Sequence, residues 1–99
     1  MTKIEIEQAV VKVFQQVLAN SGKTYDGTID NTTTIMGSDS PFDSIDLVTF
    51  IVAVEQMIED DWSFSVTLAD DRAMSQTVSP FKTIRTISDY IDILIKEQQ

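Results

Sequence analysis

The feature that most constrains the fold of this chain is a run of apolar residues at helical spacing near its start. Between residues 2 and 20 these side chains are Ile6, Val10, Val13, Phe14, Val17 and Leu18. Their spacing places them on one face of an α-helix. Thr2 and Glu5 match the T-x-x-E capping box that begins helices, and the run Asn20-Ser21-Gly22 is typical of a helix end. The chain therefore has one helical face to bury against other elements.

A second helix is predicted over residues 43 to 59. Asp43 is a favourable N-cap residue, and Phe42 and Leu47 occupy the two positions of a hydrophobic staple. Ser44 then falls in the first turn of this helix. A serine near a helix start usually serves only to begin the helix, but here Asp43 already fills that role.

The last helix is predicted over residues 87 to 97, with an apolar stripe formed by Ile87, Tyr90, Ile91, Leu94 and Ile95. Thr86 and Asp89 resemble a capping box at its start. Residues 21 to 42 show no period and predict a long loop with a few apolar anchors. Loops of this length in small domains are often functional, and this one ends next to Ser44.

The segment between the second and last helices carries mixed signals. From Trp62 to Leu68 apolar and polar residues alternate, which is the period of a strand, but the sequence offers no partner strand. We interpret it as an extended segment with its apolar side on the core, followed by a short helix near residues 68 to 74 and a loop through Pro80. The fold expected for residues 1–99 is a single domain, a small all-α bundle of three main helices and a short one, with long loops.

Composition excludes several classes of function. The chain has 16 acidic and 7 basic residues, a net charge of −9, and no Cys or His. Nucleic acid is not expected as a ligand, because phosphate contacts need clustered Lys and Arg. A basic protein is the expected partner of so acidic a chain. Without thiolates or imidazoles we expect neither a metal site nor an enzyme. No signal-type run or membrane-length apolar segment is present, so a cytoplasmic protein is expected. A monomer is the simpler expectation, although the alternation from Trp62 to Leu68 leaves room for strand pairing across a dimer.

The second helix has more apolar residues than one core face accommodates. At 100° per residue, one broad face is assigned to the core and consists of Leu47, Phe50, Ile51, Val54, Met57 and Ile58. Ile45, Val48 and Val52 lie on the other side of the helix, close to Ser44. They are interleaved with acidic residues, among them Glu55 and Glu59. Apolar side chains rimmed by acids predict a docking surface for a partner protein. The alternatives are that a neighbouring loop covers the apolar residues and that the acids are a solvated face.

The residues around Ser44 resemble the attachment motif of acyl carrier proteins, Asp-Ser-Leu at the start of the second helix. The similarity includes Gly37, the segment "SDSPF", Asp43-Ser44-Ile45 and the following "DLVTFIVAVEQMI". It continues in "FKTIRTISDYIDILI", which is similar to the final helix of that family. Two features depart from the pattern: Ile45 stands where Leu is usual, and residues 60 to 86 are longer than in a compact carrier, as in a less common group of stand-alone carriers.

This resemblance implies that Ser44 is the attachment site of 4′-phosphopantetheine. A phosphopantetheinyl transferase would add the group from coenzyme A with Mg²⁺, and Asp43 would order the helix start. The thiol of the arm would carry acyl or aminoacyl groups as thioesters for fatty-acid, polyketide or related biosynthesis. Ile45, Val48, Val52, Glu55 and Glu59 would form the face that docks on basic patches of the transferase and of acyl-loading and acyl-processing enzymes.

One other function remains open from the sequence. The chain could be an unmodified acidic helical module that binds a basic partner as a regulator, and such a module would not need Ser44. The run Gly22-Lys23-Thr24 does not predict a phosphate-binding loop, because it follows a helix rather than a strand. We interpret it as part of the helix end.

Overall fold

The computed structural model describes residues 2–25, 27–37, 40–68 and 79–98, and three α-helices form its frame. They are α1 (Lys3–Asn20), α2 (Ser44–Trp62) and α3 (Ile84–Gln98), and α1 packs against both of the others. Within the described ranges there is no strand, only an isolated bridge between two residues. The predicted all-α bundle is confirmed. The short helix expected near residues 68 to 74 lies outside the described residues, apart from Leu68, which is not helical.

Helix α1 begins and ends as the sequence predicts. The Glu5 backbone N–H donates to Thr2 Oγ1 at 3.2 Å, and the Thr2 N–H donates to Glu5 Oε1 at 3.0 Å, which completes the capping box. All six residues of the predicted apolar face are buried. After Asn20 the chain turns at Ser21 and passes through Gly22, whose positive φ of 69° suits a residue without a Cβ.

Helix α2 begins after Asp43 but extends three residues beyond its predicted end at residue 59. Trp62, which the alternating pattern assigned to an extended segment, is the last helical residue. It lies four positions after the buried Ile58 and therefore continues the core-facing stripe of the helix. Ser63 then ends α2 in the left-handed conformation, with φ of 59°. The packing of Trp62 on the core thus continues the helix through a residue whose local sequence pattern alternates as in a strand.

Helix α3 begins at Ile84, three residues before the predicted start, and the Thr86–Asp89 capping box is wrong. The N-cap is Thr83, whose Oγ1 accepts from the Thr86 N–H at 3.2 Å. In return Thr86 Oγ1 accepts from the Thr83 N–H at 2.9 Å. Two threonines thus satisfy each other's backbone donors, a reciprocal arrangement that a search for Glu or Gln at the third helical position does not find.

The long first loop is anchored on the start of α3. Its Ile35 N–H donates to the Lys82 carbonyl at 2.9 Å, and the Ile84 N–H donates to the Thr33 carbonyl at 3.1 Å. These bonds flank the antiparallel bridge between Thr34 and Thr83. Ile35 is completely buried between the two segments. Residues 33–35 of the loop are therefore anchored on the start of α3, although the sequence shows no period there.

The segment that follows α2, residues 63–68, is not helical, and its side chains alternate between exposed and at least half-buried. Phe64 and Val66 pack partly on the core, and Leu68 is completely buried. The Leu68 N–H donates to Glu55 Oε2 at 2.7 Å, and Gln98 Nε2 donates to the Ser65 carbonyl at 2.8 Å. Side chains of α2 and α3 thus satisfy two of the backbone groups of this segment.

Candidate functional site

Ser44 is the first residue of α2 and is exposed to solvent. The capping role belongs to Asp43, whose Oδ1 accepts from the Asp46 N–H at 2.8 Å, as the sequence predicts. Asp46 completes the capping box through the Asp43 N–H, at 3.4 Å. Within the described part of the chain, the Ser44 hydroxyl makes no hydrogen bond. The Ser44 hydroxyl is therefore free, because Asp43 and Asp46 cap the helix without it.

An aromatic cluster fixes the backbone that leads into Ser44. The ring of Phe42 lies 4.5 Å from that of Phe14 and 5.5 Å from that of Phe50, between ring centroids. Tyr25 packs edge-on against Phe14 at 6.2 Å. Because Phe42 is held in the core, Asp43 and Ser44 immediately after it emerge at the surface in a defined orientation.

A cluster of polar residues joins the end of α1 to the start of α2, and we call it the clasp: Ser21, Lys23, Asp43 and Asp46. Lys23 Nζ forms an ion pair with Asp46 Oδ2 and lies 3.5 Å from Asp43 Oδ2. Ser21 Oγ donates to Asp46 Oδ1 at 2.9 Å. The Asp46 side chain is only 12% exposed, and that of Lys23 is 33% exposed.

The clasp shifts the titration of both charged partners. The hydrogen bond from Lys23 lowers the pKa of Asp46 below its ordinary value, with smaller contributions in the same direction from Ser21 and the Asp43 backbone. The same bond to Asp46 raises the pKa of Lys23. Near neutral pH both groups are therefore charged, and the clasp is closed.

Sequence reasoning missed the clasp. Lys23 was interpreted only as part of a helix end, and its pairing with Asp46 was not predicted. The two are 23 positions apart, and no local pattern pairs them. The signal that could have found it was an acidic residue at the third position of α2 and a lone lysine just after α1.

A groove of ≈ 310 Å³ lies beside Ser44. Its lining combines the end of the first loop with the first turn of α2: Ile35, Met36, Gly37, Phe42, Asp43, Ser44 and Leu47. Met36, an apolar residue of the loop, is 41% exposed at this groove. The hydroxyl of Ser44 therefore stands at the edge of a mainly apolar concavity.

The predicted partner face of α2 is divided by the structure. Ile45, Val48 and Val52 are 76%, 61% and 56% exposed and follow one side of the helix from Ser44. Glu59 is exposed in line with them. Glu55 is half-buried, and its carboxylate accepts from the Leu68 N–H, so it is engaged within the fold. The exposed apolar stripe is present, and one of its two predicted acids has an internal role.

The site presents one exposed hydroxyl, that of Ser44, with two carboxylates close to it in the sequence. The described residues contain no group of acidic side chains that could hold a metal ion. The carboxylates nearest Ser44 are already engaged in the clasp and the helix cap, and the chain has no histidine.

Comparisons of this chain with protein-family models, with curated proteins and with solved structures find no match. Within the described residues no helix is both long and apolar enough to span a bilayer. What bears on function is therefore the sequence pattern around Ser44 and the geometry that surrounds it.

Proposed function

We propose that this chain is a carrier protein whose Ser44 receives a 4′-phosphopantetheine arm. The arm supplies a terminal thiol on which acyl or aminoacyl groups are held as thioesters for fatty-acid, polyketide or related biosynthesis. The observation that carries the proposal is the exposed, unbonded hydroxyl of Ser44 on a helix start that Asp43 caps. The protein is not itself an enzyme, and it works as a cytoplasmic monomer with partner enzymes.

The residues around Ser44 are compatible with a phosphate ester. The first backbone bond of α2 runs from the Leu47 N–H to the Asp43 carbonyl at 3.0 Å, so the N–H groups of Ser44 and Ile45 precede it. Free N–H groups and the positive end of the helix dipole favour a phosphate at this position. Lys23 offsets part of the charge of Asp43 and Asp46. The groove beside Ser44 offers apolar surface on which an arm could lie.

Attachment would proceed with Ser44 as the nucleophile. Its Oγ would form a bond to the phosphorus that bears pantetheine in coenzyme A, and the pyrophosphate bond would break. Adenosine 3′,5′-bisphosphate would leave, and the hydroxyl proton would pass to a base of the phosphopantetheinyl transferase. That base must come from the transferase, because the described carboxylates near Ser44 are held by the clasp and the cap.

Docking of the transferase and of acyl-processing enzymes would use the exposed stripe of α2. Ile45, Val48 and Val52 supply apolar contact area beside the attachment point. The net charge of −9 would attract basic patches and steer the encounter. Glu59 is the predicted acid of this face that stays exposed.

The second candidate is an unmodified acidic helical module that binds a basic partner as a regulator. The same exposed stripe and the same net charge favour it. It differs in one respect, because binding of this kind does not use the Ser44 hydroxyl.

The test is intact-protein mass spectrometry after incubation with coenzyme A, Mg²⁺ and a promiscuous phosphopantetheinyl transferase. We expect one phosphopantetheine on the natural protein and on Ser65→Ala, and none on Ser44→Ala. Ser65 is a suitable control because it is an exposed serine away from any helix start. A folded natural protein that gains no mass would exclude the carrier function and favour the unmodified module.

A further inference from the structure

The placement of Lys23 has a consequence for Ser44 that the attachment motif does not contain. Lys23 lies just beyond α1, and its ammonium group contacts both carboxylates that flank Ser44, those of Asp43 and Asp46. Ser21 holds the second oxygen of Asp46 from the same side. Polar side chains therefore connect the first turn of α2 to the end of α1. The core contacts of Phe42 make a second connection.

We propose that Lys23 is a positioning residue for the modification of Ser44, acting through the clasp that fixes the first turn of α2. The inference rests on the proposed function. Lys23 is occupied by Asp46 and Asp43, so it acts on Ser44 through the helix start rather than by contact with coenzyme A.

The physical basis is the freedom of a helix end. First-turn residues lack intrahelical partners for their N–H groups, and helix ends fray unless caps or tertiary contacts hold them. In α2 the capping box and the clasp share Asp46: its carboxylate reaches the Asp43 N–H, Lys23 and Ser21. Loss of Lys23 keeps the bond from the Asp46 N–H to Asp43 Oδ1 but removes the ion pair that holds the Asp46 carboxylate in place. Small losses of alignment at an attacking atom lower transfer rates strongly.

The experiment compares four proteins: the natural chain, Lys23→Met, Lys23→Arg and Lys3→Met. Lys3 forms an ion pair with Asp89 at 2.5 Å, and its side chain is 47% exposed, against 33% for Lys23. It sits at the other end of the 18-residue α1, about 25 Å from the clasp. Lys3→Met therefore removes the same charge and one ion pair, and it matches Lys23→Met in net charge and in any steering that depends on it.

We expect kcat/KM for the carrier to fall about five- to tenfold in Lys23→Met. The KM for coenzyme A should stay unchanged. Lys3→Met should match the natural protein, and Lys23→Arg should recover to within about twofold, because guanidinium also bridges two carboxylates. Hydrogen exchange of the first-turn amides of α2 should be faster in Lys23→Met alone. A raised KM for coenzyme A would instead indicate direct contact with the cosubstrate and overturn the positioning role.

The two proposals fail in different ways. If the natural protein and Lys23→Met are modified at equal rates, or if Lys3→Met is slowed as much as Lys23→Met, Lys23 does not position Ser44. If the natural protein is folded and is not modified, the carrier function itself is wrong, and the role of Lys23 falls with it.

Discussion

Replacement of Phe42 by Ala tests whether the aromatic cluster holds the start of α2 in place. Phe42 is 8% exposed and contacts the rings of Phe14 and Phe50 at 4.5 and 5.5 Å. Phe→Ala changes in cores cost about 3–5 kcal/mol, because apolar contacts are lost and a cavity remains. Phe42 is at the end of a loop that can partly collapse into that cavity, which places the expected cost at the lower end, about 3 kcal/mol.

The assay is urea unfolding followed by circular dichroism and by the fluorescence of Trp62, the single tryptophan of the chain. A loss of about 3 kcal/mol is a large part of the 5–15 kcal/mol that stabilises small domains. It corresponds to a decrease in Tm of roughly 12–24 °C for a domain of this size. The m-value should not change, since the surface exposed on unfolding stays nearly the same.

Two variants make the result specific. Phe42→Leu keeps an apolar side chain in the cluster and should cost only about 1 kcal/mol. Phe64→Ala removes the same ring from a half-buried position after α2 and should also cost about 1 kcal/mol. If Phe42→Ala proves no more destabilising than Phe64→Ala, the ring cluster does not anchor the start of α2, and the reasoning about the orientation of Ser44 fails.

Three further predictions concern polar groups. Ser88 is completely buried, and its hydroxyl has no hydrogen-bond partner among the described residues; Ser88→Ala should therefore raise stability by about 1 kcal/mol in urea unfolding, and a loss would reveal a partner. Because the pKa of Asp46 is lowered in the folded state, its contribution to stability is complete above the ordinary Asp pKa of about 3.9 and is lost as pH falls through the lower folded value. The difference in urea midpoint between the natural protein and Asp46→Asn should shrink between about pH 5 and pH 2, and a constant difference would contradict this. Glu55→Ala should cost about 1–2 kcal/mol, because the Leu68 N–H loses its acceptor, whereas Glu55→Gln keeps an acceptor and should cost less than half of that; equal losses would show that the bond does not matter.

Local patterns were sufficient where one segment carries the whole signal. The capping pair Thr2 and Glu5 and the N-cap Asp43 lie within three residues of their partners, and both were predicted from the sequence. The core faces of α1 and α2 follow from periodicity, because a helix turns every 3.6 residues whatever surrounds it. The exposure of Ile45, Val48 and Val52 follows from the same rule once the core face is known.

Errors occurred where two local readings competed. Trp62 fits both a helix and an alternating segment, and its contact with the core decides for the helix. At the start of α3, Thr83 and Thr86 are both plausible caps. Thr83 takes the role because its neighbours pair with Thr33 and Ile35 of the first loop, which fixes the backbone there.

The sequence by itself determined the helical class, the position of the hydroxyl at the start of α2 and the acidic, apolar face beside it, because each of these is encoded within a few turns of one helix. Only the tertiary structure decided which charges meet. Lys23 and Asp46 are joined because α1 and α2 pack together, and Glu55 is half-buried with its carboxylate accepting the distant Leu68 N–H. Pairing between distant residues depends on the path of the whole chain, and no window of sequence contains it.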